Sequence, residues 1–279
     1  MRRTLLGLIR ATHPEPAVAV PAVTVLLGAA VGIAPAHLVP LGAAMLAAHL
    51  AIGWANDWLD APRDAAVGRT DKPIATGQVS RRAVGVATLL AIVATVLIGP
   101  LNGWRSGLTL DISLTSALLY NWPLKATAAS VLPYLVSFGL LPAYVVQALP
   151  GAPLPPAWMV AAGALLGAGA HFANVLPDLD DDERTGVRGL PHRLGRTGSL
   201  IAGAAGLLGA TAVLVFGPPG APSPLGIAGA ALAVAVLITG WYLARSAVAR
   251  GGRPVAIFRA VLILAVIDVV LLLANGSAR

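Results

Sequence analysis

Two short stretches hold most of the acid in this chain: NDWLDAPRD (56–64) and NVLPDLDDDERTG (174–186). Both contain the frame Asn-x3-Asp-x3-Asp, as Asn56, Asp60 and Asp64 and then as Asn174, Asp178 and Asp182, each position of the second lying 118 residues after its counterpart. Nine of the 12 acidic residues fall in these stretches or just after them. Side chains four apart share one face of a helix, so each frame draws a stripe of oxygen ligands. Oxygen donors, with no cysteine in the chain and no histidine in either frame, select Mg2+ over zinc. Mg2+ is commonly held by one or two carboxylates together with phosphate oxygens, so two such stripes describe a clamp that closes through metal onto a diphosphate. Arg63, Arg69 and Lys72 follow the first frame, Arg184 and Arg188 the second, and base interleaved with acid fits metal and phosphate sharing a site. Paired charges in solvated loops are the bland alternative, and a frame repeated at corresponding helix ends argues against it. Proline bears on both stripes. Pro62 falls between Asp60 and Asp64 and disfavours helix at Ala61, which puts Asp64 off the ideal face, and Pro177 weakens the turn before Asp178.

These stripes need apolar helices to carry them. The chain has 279 residues, 57% hydrophobic and only 11% charged, with a mean hydropathy of +0.80, whereas soluble domains carry about 25% charged residues. Nine candidate membrane helices follow from hydropathy and Pro/Gly-rich turns: 17–35, 39–58, 83–99, 108–120, 130–149, 157–177, 199–217, 225–245 and 257–275. Many of their residues are Gly and Ala, which suit close helix packing in lipid. The basic start, MRRTLLGLIRATHPEP, lacks an A-x-A-like cleavage site and reads as a retained amphipathic helix lying on the membrane surface. With nine spans, 17 of the 19 Lys and Arg fall on one side, together with both acidic frames, and the positive-inside rule makes that side cytoplasmic. A net charge of +7 does not imply nucleic acid, because the basic residues flank apolar helices instead of forming one soluble patch. The expected fold is an all-α integral membrane protein, a single domain of two pseudo-repeats (17–149 and 157–275), and its expected location is the plasma membrane.

The chain resembles the UbiA superfamily of intramembrane prenyltransferases. The resemblance rests on NDWLDAPRD for the family's NDxxDxxxD motif and on DKPIATGQVS (71–80) for the Lys/Arg-Pro-x-x-x-Gly segment behind it. YNWPLK (120–125) matches the tyrosine–lysine loop, and NVLPDLDDDERTGVRGLPHRLG (174–195) the second DxxxD motif with its Arg-Gly tail. Two departures stand out: four residues separate Tyr120 from Lys125 where many members have three, and Pro62 lies inside the first motif. The resemblance implies nine helices around a central cavity, capped on the cytoplasmic side by the two Asp-rich motifs. It further implies two Mg2+ ions and a prenyl diphosphate, with Asn56, Asp60 and Asp64 serving one ion and Asn174, Asp178 and Asp182 the other. Lys72, Lys125 and Arg188 are diphosphate contacts by the same carry-over, supported by Arg63, Arg69 and Arg184.

The expected reaction is transfer of a polyprenyl group to a small aromatic or lipid-like acceptor within the membrane. Basic residues and Mg2+ stabilise the departing diphosphate, and an apolar cavity keeps water from the allylic cation. Trp54, Trp58, Tyr120, Trp122 and Tyr134 are candidate aromatic faces for that cation, Tyr120 first by its motif position; each also fits an interfacial belt. His171 shares a helical face with Asn174 and either lines the cavity or packs. Asp111 and Asp268 sit inside spans, where ionisable groups point to function, without an assigned role. Asp57 and Asp181 lie off the stripes, as guesses for orienting metal-bound water or taking the acceptor's proton. A terpene cyclase of the same fold and a phosphoribosyl transfer to a lipid phosphate carrier are the alternatives. A divalent-cation transporter is disfavoured, because such sites lie near the midplane.

Overall fold

A computed structural model describes residues 2–177, 179–249 and 255–276, and among these it is all helix and turn, without strands. Eleven α-helices follow one another: α1 (Arg2–Arg10), α2 (Pro14–Ala30), α3 (Pro35–Ala66), α4 (Arg81–Ile98), α5 (Trp104–Asn121), α6 (Leu132–Val146), α7 (Ala157–Val175), α8 (Leu179–Arg184), α9 (Leu190–Phe216), α10 (Pro224–Ala249) and α11 (Val255–Gly276). Each of the nine expected spans has a helical counterpart. Six stretches, in α3, α4, α7, α9, α10 and α11, are long and apolar enough to cross a membrane, and α2 and α6 are shorter apolar helices. The basic N-terminal stretch is a short separate helix, with Leu5, Leu6 and Ile9 exposed.

The helices fall into two compact units, Met1–Leu124 with Ala143–Leu154 and Lys125–Pro142 with Pro155–Arg279. The division runs through α6 at Pro142. In the first unit α3 is the hub, packed against α2, α4 and α5 through small buried residues such as Ala44, Ala48 and Ala51. Small residues let backbones approach where lipid gives no hydrophobic drive. The buried Tyr144 hydroxyl donates to the Leu41 carbonyl at 2.8 Å, and Ser106 donates to the Tyr144 carbonyl at 2.8 Å.

One expectation fails here. Pro62 does not interrupt the helix: α3 continues to Ala66. Proline cannot supply the N–H that the carbonyl four residues earlier would normally accept. That carbonyl, of Trp58, accepts from Arg81 Nε at 3.0 Å instead, and the same guanidinium lies 4.6 Å from the centre of the Trp58 ring. A side chain from the start of α4 thus supplies the missing donor, and Asp64 keeps its place on the face of Asp60.

In the second unit α7 packs against α9, and α10 and α11 pack on each other and on α9. A Cβ at Gly163 or Gly167 would overlap the carbonyl oxygens of Phe138 and Tyr134, so these glycines seat α7 directly on the backbone of the first turns of α6. The Phe138 carbonyl is the one left without its i+4 donor by Pro142. Asp268, fully buried in α11, has a partner the sequence does not reveal: the Thr211 hydroxyl of α9 hydrogen-bonds its carboxyl.

Candidate active site

The first motif occupies the last turns of α3. Asp57, Asp60 and Asp64 are 2%, 8% and 3% exposed, while Trp58, Pro62 and Ala65 on the other face are exposed. The chain therefore turns its carboxylates inward, against the usual preference for keeping charge in water. Arg63 reaches back one turn to Asp60 Oδ2 at 3.2 Å. Among the described residues no side chain hydrogen-bonds the carboxylate of Asp64.

Asp57, off the stripe in the sequence reading, is tightly engaged. Its Oδ1 accepts from Lys72 Nζ at 2.8 Å and lies 3.2 Å from His13 Nε2, with 3.4 Å between the lysine and the imidazole. Three segments meet in this knot. Lys72 opens a hydrogen-bonded turn in which Thr76 N donates to the Lys72 carbonyl at 3.0 Å and Gln78 N to the Pro73 carbonyl at 2.9 Å. Val79, buried at the end of that turn, lies against Gly7 of α1. His13 sits between α1 and α2 with φ of 54°, a conformation costly for a residue with a Cβ. Its segment is pressed onto α3: a Cβ at Gly53 would overlap the Thr12 carbonyl, and Trp54 Nε1 donates to the Leu8 carbonyl at 2.9 Å. Asp57 thus orients Lys72, and the reading of it as a water-orienting or proton-accepting group has no support in these contacts.

Asn56, the first member of the frame, is half-buried and donates from Nδ2 to Asn121 Oδ1 at 3.4 Å. Asn121 closes α5 beside Tyr120, itself half-buried. Arg69 is engaged elsewhere: it forks onto the exposed Asp71 through two 2.8 Å bonds and holds that carboxyl down at about 2.

The second motif differs from its expected form. α7 ends at Val175 and a new helix, α8, begins at Leu179, so Asn174 and Asp182 do not belong to one continuous stripe. Pro177 is the cause, since it cannot extend the helical ladder and disfavours helix before it. The Leu176 carbonyl at the break accepts from Arg196 at 3.3 Å. Asp178 lies outside the described residues, as do the side chains of Asp180 and Asp181. Asn174 is exposed and donates to the Tyr134 hydroxyl at 3.2 Å. Tyr134 in turn lies 5.0 Å, ring to ring, from His171. His171 is fully buried, 3.1 Å from Ser130 Oγ, and Ser130 also accepts from Leu190 N at 2.9 Å. This histidine ties α7 to the segment ahead of α6 and to the start of α9, a packing role. Asp182 Oδ2 lies 3.7 Å from His192 Nε2. Lys125 lies in a short 3-10 turn (Leu124–Ala126), and a Cβ at Gly189 would overlap its carbonyl. The lysine loop and the tail of the second motif are therefore neighbours within this unit, whereas Arg184 and Arg188 are exposed.

The donor set in the first unit suits Mg2+: two inward carboxylates one turn apart, an amide oxygen a further turn back, and no sulfur or histidine among them. Among the described residues no three His, Cys, Asp or Glu side chains come together as a metal-binding group, and Mg2+ commonly completes its coordination with phosphate oxygens and water. His13, Asn121, Ser130 and His192 were absent from the expected set. Asn121 stands inside the quoted YNWPLK segment and His192 inside the second motif's tail; nothing in the pattern marks His13 or Ser130.

Comparison with known proteins bears on the whole chain. The model of the UbiA prenyltransferase family matches residues 18–267. Curated relatives include 4-hydroxybenzoate octaprenyltransferases of Polynucleobacter necessarius and Polynucleobacter asymbioticus, each 36% identical over 138 residues, which is 48% of this chain. The chain spans about half the length of these relatives (47%). A UbiA homologue from Aeropyrum pernix in its apo form aligns over 98% of both chains with a TM-score of 0.66 at 21% identity. One from Archaeoglobus fulgidus, bound to DMAPP and Mg2+, aligns over 98% of this chain and 99% of its own, with a TM-score of 0.68 at 15% identity. At these identities the likeness is one of fold. The family match covers most of the residues and both motifs, and with its apolar helices the chain is a multi-pass integral membrane protein that belongs to the UbiA prenyltransferase family.

Proposed function

We propose that this protein catalyses Mg2+-dependent transfer of a polyprenyl group from a prenyl diphosphate to a small aromatic or lipid-like acceptor within the membrane. The observation that carries the reading is the inward pair Asp60 and Asp64, one turn apart at the end of an apolar span. A chain that only needed solubility at this helix end would turn its carboxylates outward. Asn56, Asp60 and Asp64 hold one Mg2+ ion and Asn174, Asp178 and Asp182 a second. When bound, the metal neutralises charge on the departing diphosphate. The chain's own residues do the rest. Lys72, oriented by Asp57, is a diphosphate contact together with Arg63 and Arg69 beside the first motif, and Lys125, Arg184 and Arg188 are the diphosphate contacts beside the second. Tyr120 faces the allylic cation, and the apolar walls exclude water.

The activity for which the relatives are named, octaprenyl transfer to 4-hydroxybenzoate, supports an aromatic acceptor, and structures of the Archaeoglobus homologue with DMAPP or GPP and Mg2+ support the donor class. Nine spans, a single domain of two repeats, a plasma-membrane location and a cytoplasmic mouth complete the proposal, the last from the bias of Lys and Arg to one side. Membranes containing the full chain, given geranyl diphosphate, Mg2+ and 4-hydroxybenzoate, are expected to yield prenylated acceptor, with yield abolished by EDTA. A cyclic hydrocarbon formed without acceptor identifies a cyclase instead, and a requirement for phosphoribosyl diphosphate identifies the phosphoribosyl reaction; either result overturns the proposal.

A further inference from the structure

We propose that Asn121 is a positioning residue that sets which end of the Asn56 amide faces the metal. This rests on the reading of Asn56 as a Mg2+ ligand. A carboxamide presents one oxygen and one nitrogen, and only the oxygen can ligate a hard cation. Something must therefore fix the flip of Asn56, and the contacts form a one-way chain. The Ile52 carbonyl can only accept, so the Asn121 group 2.9 Å from it is Nδ2. The other end of the buried Asn121 side chain is then Oδ1, again an acceptor, and the group of Asn56 facing it at 3.4 Å is Nδ2. The Asn56 oxygen consequently points away from α5, and no donor among the described residues claims it. Asn121 is 3% exposed, so water does not substitute for it.

The second motif has a parallel. Asn174 Nδ2 is bonded to the Tyr134 hydroxyl, again a side chain from a different helix holding the nitrogen end. A tyrosine hydroxyl can donate or accept, so only the first motif has its flip dictated by a carbonyl.

Mn2+ binding to the detergent-solubilised full chain, followed by electron paramagnetic resonance with inorganic pyrophosphate present, tests the inference apart from turnover. Partners that orient metal ligands are typically worth 10–100-fold in affinity. Asn121→Leu is expected to weaken Mn2+ binding about tenfold or more. Asn56→Asp carries oxygen at both ends and needs no orienting, so Asn56→Asp/Asn121→Leu is expected to bind as Asn56→Asp does. Equal affinity of wild type and Asn121→Leu overturns the inference. So does a loss that persists undiminished in the Asn56→Asp background, since Asn121 would then be serving only the packing of α5. Should Asn121→Leu not yield folded protein, Asn121→Ser enters the same comparison with the same expected loss. A wild-type chain that binds no Mn2+ with pyrophosphate sinks the Mg2+ reading itself, a result distinct from the other two.

Discussion

Asp57→Ala removes the carboxylate that gathers Lys72 and His13. The lysine side chain is 13% exposed and the aspartate 2%, so what remains is a nearly buried ammonium with no counter-charge at 2.8 Å. At that separation and an effective dielectric near 20 the gross attraction is about 6 kcal/mol. Desolvation cancels much of it, and stranding one member of a fully buried pair costs about 3–5 kcal/mol against about 0–1 for exposed pairs. Because the imidazole arm is 44% exposed, we expect a net loss of about 2 kcal/mol, a fall in Tm of roughly 4–8 °C at the scaling of larger domains. Thermal unfolding in detergent reads this directly. The origin is separable: Asp57→Ala/Lys72→Met removes the stranded charge too, and is expected to recover most of the lost stability. If Asp57→Ala unfolds within 1 °C of the wild type, or the double variant recovers nothing, the charge argument is wrong and Asp57 is merely a packed side chain.

Asp60→Ala and Asp64→Ala are each expected to reduce prenyl transfer by about 100-fold or more while the chain stays folded, since preorganised charge at a leaving group is worth this much per group; product mass against circular dichroism checks both halves. Arg81→Ala leaves the Trp58 carbonyl without a donor and should cost about 1–3 kcal/mol, whereas Pro62→Ala/Arg81→Ala, with the backbone N–H restored, should be close to wild type in Tm. Gly167→Val drives a side chain into the Tyr134 backbone and should lower Tm more than the same change at the open turn of Gly77. Arg69→Met removes the fork on Asp71, so the carboxyl titration, followed by carbon-13 NMR, should rise from about 2 toward the ordinary 3.8; the sign follows because the guanidinium favours the charged form.

How much of this was legible beforehand differs between the two motifs. Apolar run length and Pro/Gly turns located the apolar helices, six of which among the described residues are long and apolar enough to cross a membrane, because in a chain this poor in charge the lipid sets element length. The first stripe was legible from its i, i+4 spacing, yet proline rules pointed the wrong way at Pro62. Those rules are local, and the repair comes from Arg81, 19 positions on. At the second motif the same local rule held, and α7 ends at Val175, ahead of Pro177. The role of Asp57 was invisible for a related reason: periodicity says which residues share a face and nothing about a lysine and a histidine arriving from separate segments. Asn121 was in view as part of a motif, but a carboxamide's orientation is decided by a backbone carbonyl 69 positions away.

The bond from Arg81 to the Trp58 carbonyl also closes a ring. The connection from 67 to 80 leaves α3 at Ala66 and is pinned back to that helix at its far end, so Lys72 rides on a short tether fastened at both feet. A tether held this way keeps its cargo at high local concentration over Asp57, and changes of length within it are absorbed there instead of being passed to α4. Cutting the fastening at Arg81 would loosen the lysine without touching it.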